Sequence, residues 1–307
     1  MSKLEVWLAQ TRANFLLLAV FLVAIGLAYA AKYSPEAAFN WWHAIVIVIG
    51  TVSAHISVNL FNELSDYYTN IDFLTNRTPF SGGSGMLPKG ETNPFQVKVA
   101  AIFTLLLAAG VGIYFSLISH WGVALISVVG AFTIVFYTNI LSKIMLGELF
   151  AGIALGSLVV LGAFIAMTGT PGVPAGELIP KEVWLIAIPP GILTSLLLLL
   201  NEFPDTEADK AGGRKHLVIR FGRQRAAYLY AAGMLLTFGI LILLPIVGIA
   251  SFWLYLALLP LPLAVKALQT AIRHNQEMPR LMPALGMNVM VVLGTDLLIA
   301  IAIIIQI

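Results

Sequence analysis

The chain has 307 residues, of which 59% are hydrophobic and 10% charged, with a formal net charge of +2 and a mean hydropathy of +0.93. Soluble domains carry about a quarter charged residues, so this composition excludes one and indicates a polytopic membrane protein. The absence of cysteine excludes disulfides, thiolate metal sites and thiol nucleophiles, and no arginine–aromatic platform points to nucleic acid.

Apolar runs of about 20 residues suffice to cross a hydrocarbon core about 30 Å thick. Nine are expected, near residues 12–31, 43–64, 96–118, 121–142, 146–168, 183–203, 226–248, 251–272 and 284–306. The first is too long for a signal peptide and lacks a small-residue cleavage site, so it reads as a retained helix. The fold class is therefore all-α, in one transmembrane domain over residues 1–307. Basic residues stay on the cytoplasmic side of a membrane. With the N-terminus placed there, only Lys32 and Lys181 of the 17 Lys and Arg fall outside. That asymmetry supports an odd number of spans in the cell membrane.

Two long polar connections, about residues 65–95 and 204–225, lie on the predicted cytoplasmic face. Each follows a span that ends in the same signature: Asn62-Glu63-Leu64-Ser65-Asp66 after the second, and Asn201-Glu202-Phe203-Pro204-Asp205 after the sixth. Residues four apart on a helix share a face. Asn62, Asp66 and Asn70 thus form one ladder, and Asn201, Asp205 and Asp209 another, with Asp72 following the first. Pro204 is expected to kink or end the second ladder. Carboxylates gathered at membrane depth repel one another unless cations sit between them. Hard oxygen ligands without cysteine or a histidine cluster suit Mg²⁺, which completes its shell with water and phosphate oxygens. A diphosphate clamped between the ladders is the natural counterpart, with Arg77, Lys143, Lys210, Arg214 and Lys215 as further cations around it.

The signature Asn59 through Asp72, and the stretch Asn201 through Asp209 followed by Ala211-Gly212-Gly213-Arg214-Lys215, resemble the two Asp-rich motifs of the UbiA superfamily of intramembrane prenyltransferases. The resemblance covers essentially the whole chain. It implies an all-α bundle around a central cavity and Mg²⁺-dependent transfer of a prenyl group from an allylic diphosphate to an acceptor, commonly an aromatic ring. It further implies that Asn62, Asp66, Asp205 and Asp209 are metal and diphosphate ligands, with Asn59, Asn70, Asp72 and Asn201 beside them. Two positions depart from the family pattern: Glu63 stands where members more often have Asp, and Asn70 where some branches have Asp and the naphthoate branch has Gly. The pattern Asn59-x-x-Asn62 with Asp72, and the later Gly147-Glu148-Leu149, is most similar to the branch that prenylates 1,4-dihydroxy-2-naphthoate in menaquinone synthesis. Other acceptors in the superfamily are 4-hydroxybenzoate, homogentisate, haem and glyceryl lipids. A secondary transporter is the rival class, although its polar groups would sit near the bilayer centre rather than at one end.

In such a reaction, charge on the departing diphosphate must be neutralised and the allylic cation kept from water. Phe61, Tyr67, Phe136 and Tyr137 are candidate cation-stabilising aromatics, Tyr137 also by family match. Lys143, at the expected end of the fourth span, is either a diphosphate contact or a snorkelling anchor. The segment Ser81-Gly82-Gly83-Ser84-Gly85 reads as a mobile loop, a phosphate-cradling turn or a lid. His55 shares the signature face of its helix, and His43, His120, His216 and His274 show no metal-ligand spacing. Asp296, inside the last apolar run, is costly there and hence a functional or helix-bridging candidate.

Overall fold

The computed structural model describes residues 1–34 and 39–307, and every regular element within them is helical. Helix α1 (Lys3–Gln10) starts in a capping box made by Ser2 and Glu5. The backbone then turns through the left-handed region at Arg12, φ 53°, and α2 (Leu16–Tyr33) enters the apolar layer. Helix α3 (Trp41–Tyr68) has 28 residues, about 42 Å at 1.5 Å each. It is therefore long enough to cross the hydrocarbon and carry its last turns beyond it. A single-turn helix α4 (Ile71–Leu74) and the Gly-rich loop lead to α5 (Pro94–Ile118), which begins with a capping box between Asn93 and Gln96 and a proline in its first turn.

Helix α6 (Gly122–Phe136) has 15 residues, about 22 Å, and gives way to turns and a 3-10 helix, Leu141–Lys143. The next span, Gly147–Thr168, consists of α7 (Gly147–Phe150), a π-helical segment Ala151–Ser157, and α8 (Leu158–Thr168). Helices α9 (Lys181–Ile186) and α10 (Ile188–Ala211) form another, and the proline expected to interrupt the second ladder does not end it: α10 continues through Pro204 to Ala211. After α11 (Leu217–Phe221) and α12 (Arg223–Ile246), a 3-10 segment Phe252–Leu258 meets α13 (Leu261–His274) at a bend of 40°, and α14 (Met278–Ile304) closes the bundle. Among the described residues, seven helices are long and apolar enough to cross a membrane, or eight if the bent pair is one span. The fourth expected span, near 121–142, corresponds to the short α6, which falls below that length.

One apolar core runs through the bundle from Leu18 to Ile303. Lipid tails are as apolar as this core, so helix association depends on close packing of small residues. A Cβ at Gly156 of the π segment would lie 2.5 Å from Gly191 Cα of α10, which shows how near the two backbones pass. At one end, Lys32 Nζ lies 3.0 Å from Glu182 Oε1 and donates to Gln306 Oε1 at 3.2 Å, while Tyr29 and Tyr33 also donate to Glu182. This polar knot ties α2, α9 and α14 together. Lys32 and Lys181, the two basic residues expected on the outer side, belong to that end, and both carboxylate signatures lie at the other.

Candidate active site

The C-terminal turns of α3 and α10 bring the two signatures to a common cavity of about 260 Å³. Asn59, Asn62 and Asp66 reach it from α3, Asp72 from α4, Asn201, Glu202, Asp205 and Asp209 from α10, and Tyr137 from the end of α6. Arg214 joins the two sides. Its Nη1 donates to Asp209 Oδ1 at 2.9 Å and its Nη2 to Asn62 Oδ1 at 2.9 Å, with Asp66 in direct contact. Burial works against the guanidinium's charge, but Asp66 and Asp209 more than offset it and raise its pKa above the ordinary value. Asn62 also donates to Asp66 Oδ2 at 3.2 Å and accepts from Thr138, and these bonds orient the first ladder.

Glu63, one residue along from Asn62, turns away from the cavity. It is fully buried and saturated: Gln10 Nε2 (3.0 Å), Arg12 Nε (3.1 Å) and Nη2 (3.0 Å), and both the backbone and hydroxyl of Ser84 donate to it. The left-handed turn at Arg12 places that guanidinium back over α3. Through Ser84, Glu63 also fixes the Gly-rich loop, which crosses to the second signature where Gly82 N–H donates to Asp205 Oδ2 at 3.0 Å. Gly83 is required there, since its φ is +67° and a Cβ would sit 2.8 Å from Asp72 Oδ1. The backbone N–H groups of Gly82 and Ser84 are thus spent on carboxylates, not left to cradle phosphate, and the loop is packed over the cavity as a cover.

Several expected residues lie elsewhere. Helix α3 stops at Tyr68 and Asn70 adopts a left-handed φ of 61°, which breaks the ladder and leaves Asn70 exposed outside the cavity. Arg77 is not in the lining. It donates to Asp72 O at 2.7 Å, lies 3.5 Å from Asp72 Oδ1, and packs beneath Gly85, bracing the loop. Lys143 is exposed on the 3-10 turn because α6 ends early, Lys210 points out from the last turn of α10, and Lys215 contributes its backbone N–H to Ser142 O. Phe61 and Tyr67 pack on the small cluster around Leu60 and Leu64, and Phe136 packs against Phe132 with the rings tilted by 45°. The aromatic residues lining the cavity are Phe15, Phe80 and Tyr137.

Three lining residues had no clear sequence signal. Arg12 looked like a topology marker. His216 lies with Nε2 3.2 Å from Asp209 Oδ2 and Nδ1 3.6 Å from Glu202 Oε2, and Phe80 belongs to the loop. His55 lines the cavity from α3, while Glu148 stands just behind it, accepting from Leu217 N–H at 2.8 Å. Asp296 is fully buried and outside the lining, with neither oxygen hydrogen-bonded.

The cavity wall carries five carboxylates, Asp66, Asp72, Glu202, Asp205 and Asp209, against two guanidinium groups, Arg12 and Arg214. Asp72 is pushed up to about 7, first by burial and then by Glu63 and Asp66. Asp72 Oδ2, Asn201 Oδ1 and Asp205 Oδ1 are buried without a hydrogen-bond partner. Orphaned buried oxygens amid excess negative charge are what a hard divalent cation satisfies.

The sequence pattern of the UbiA prenyltransferase family matches residues 17–290. The chain belongs to this family. It is a prenyltransferase, as its two signatures implied. 1,4-Dihydroxy-2-naphthoate octaprenyltransferase of Bacillus subtilis (strain 168) is 33% identical over 226 residues, covering 73% of this chain and 69% of that protein. The enzyme of the same name from Escherichia coli (strain K12) is 26% identical, covering 98% and 96%. Among solved structures, a UbiA homolog from Aeropyrum pernix K1 superposes with a TM-score of 0.71 at 16% identity, over 95% of this chain and 98% of that one. A UbiA homolog from Archaeoglobus fulgidus bound to DMAPP and Mg²⁺ gives 0.60 at 13% identity, over 98% and 99%. At these identities the solved structures establish the shared fold.

Proposed function

We propose that this prenyltransferase moves the prenyl group of an allylic polyprenyl diphosphate onto an aromatic acceptor, 1,4-dihydroxy-2-naphthoate, in a Mg²⁺-dependent reaction of menaquinone synthesis. The main support is the juxtaposition of Asp66 and Asp72 with Asp205 and Asp209 across one covered cavity, with orphaned oxygens on both sides. The naphthoate acceptor is favoured by the relatives' names and by Gly147-Glu148-Leu149.

Asn62, Asp66, Asp72, Asn201, Asp205 and Asp209 would hold Mg²⁺. Bound there, the ion supplies Lewis-acid neutralisation of charge on the leaving diphosphate. Arg214 keeps the ladders in register and, with Arg12, adds fixed positive charge where the leaving group becomes more negative. The loop around Gly82 and Phe80 excludes water that would quench an allylic cation, and the π systems of Tyr137, Phe15 and Phe80 stabilise that cation. The accompanying topology is a single domain of nine spans in the cell membrane, with the N-terminus and the carboxylate end in the cytoplasm. In it, α6 crosses as a short span.

The test is turnover in vesicles with radiolabelled polyprenyl diphosphate and 1,4-dihydroxy-2-naphthoate. Prenylated naphthoate and diphosphate should form together with Mg²⁺ and neither with EDTA. Equal product formation without any divalent cation would overturn the reading.

A further inference from the structure

A second cavity, of about 160 Å³, lies deeper in the bundle between α3, α5, α6 and the π segment with α8. It adjoins the carboxylate cavity, for Thr51, Ala54, Gly130, Ile134, Ala154 and Val159 line both. We propose that this chamber seats the distal isoprene units of the donor, and that the small side chains of Thr51, Ala54, Gly130 and Ala154 form a neck that decides which donor lengths are used. The inference rests on the proposed prenyl transfer and assigns its length specificity.

The neck is built for hydrocarbon. Thr51 spends its hydroxyl on Ile47 O at 2.9 Å, and the other three neck residues carry no polar side chain. A hydroxylated aromatic acceptor would find no partner there, whereas an isoprenoid needs none. The π segment carries Ala154 to both cavities, a departure from α-helical geometry of the kind found at functional positions. A Cβ on Gly130 would meet nothing within 4 Å, so the passage there is open space. On the outer wall Leu105, Ala108 and Ile126 are only half-buried, which lets a long chain continue into lipid.

Depth along α3 supplies the scale. Ala54 precedes Asn62 by eight residues and Asp66 by twelve, which is about 12–18 Å of helix. Four chain bonds per isoprene unit extend about 5 Å, so a tail anchored at the carboxylates reaches the neck with its third or fourth unit. A geranyl chain stops short of it, and an octaprenyl chain passes well through.

The experiment is a competition in vesicles between equimolar geranyl and octaprenyl diphosphates with Mg²⁺ and the naphthoate acceptor, reading the ratio of long to short product by mass spectrometry. Gly130→Leu and, independently, Ala54→Leu should lower that ratio at least tenfold. Geranyl product in the same tube reports that each variant is folded, and two positions on different helices guard against the loss of either. A ratio within threefold of wild type in the folded variants, including an equal fall in both products, overturns the chamber. Wild-type protein that transfers neither group overturns the proposed function instead, so the two failures are distinguishable.

Discussion

In the first signature α3 ends two residues after Asp66 and the next carboxylate, Asp72, arrives on a separate one-turn helix, whereas α10 carries Asn201, Asp205 and Asp209 on one uninterrupted helix. The glutamates diverge further. Glu63 is saturated by Gln10, Arg12 and Ser84 and faces away from the cavity, while Glu202 lines it with Oε2 free of any hydrogen bond. Equal spacing in sequence therefore does not mean equal employment. The first copy uses its glutamate to fasten the N-terminal segment and the covering loop; the second turns Glu202, Asp205 and Asp209 to the cavity. The loop bonded at Ser84 and Gly82 joins the copies physically.

The strongest way to break this comparison is to remove an acid from each side. Asp66→Ala and Asp209→Ala should each lower kcat by at least about 10³, the upper range for losing one charge-stabilising group, while melting in detergent stays cooperative. Near-normal turnover in both would remove the opposed-ladder mechanism. Arg214→Ala should come next, costing about 10² in kcat and raising the Mg²⁺ concentration for half-activation, because nothing then registers Asn62 and Asp66 against Asp209. Glu63→Ala should act on stability, by about 2–4 kcal/mol, somewhat below a fully buried pair because Arg12 retains 26% side-chain exposure. Glu202→Ala should shift the melting temperature much less, and a comparable loss in both would erase the distinction between the glutamates. The smallest effect belongs to Asn70→Gly. Relief of the left-handed conformation should add up to about 1 kcal/mol of stability, with turnover within twofold.

The all-helical fold was legible in the long apolar runs, seven or eight of which form helices long enough to cross a membrane, and the two carboxylate signatures in their fourfold spacing, which a helix converts into a shared face. The cations were harder. Arg77, Lys143, Lys210 and Lys215 follow helix ends closely enough to suggest a cavity role, but the direction in which the chain leaves each end decides where they point. At Lys143 the early stop of α6 settled it, and at Arg77 the loop was built around the guanidinium. Arg12 stayed hidden because its partner Glu63 is 51 residues away, a pairing that no local pattern encodes. Asn70 failed for a local reason, since one left-handed residue is enough to end a fourfold repeat. The Gly-rich segment read as flexible by composition, yet tertiary hydrogen bonds to Glu63 and Asp205 order it.

The knot of Lys32, Glu182, Tyr29, Tyr33 and Gln306 clasps one rim of the bundle like the rivet of a fan. Blades held at a rivet can spread only at the opposite rim, where the acids lie. A helix about 40 Å long that swings by about 5° displaces its free tip by about 3 Å, enough to admit the edge of an aromatic ring. Substrate exchange by such an angular breath would need no helix to leave its neighbours.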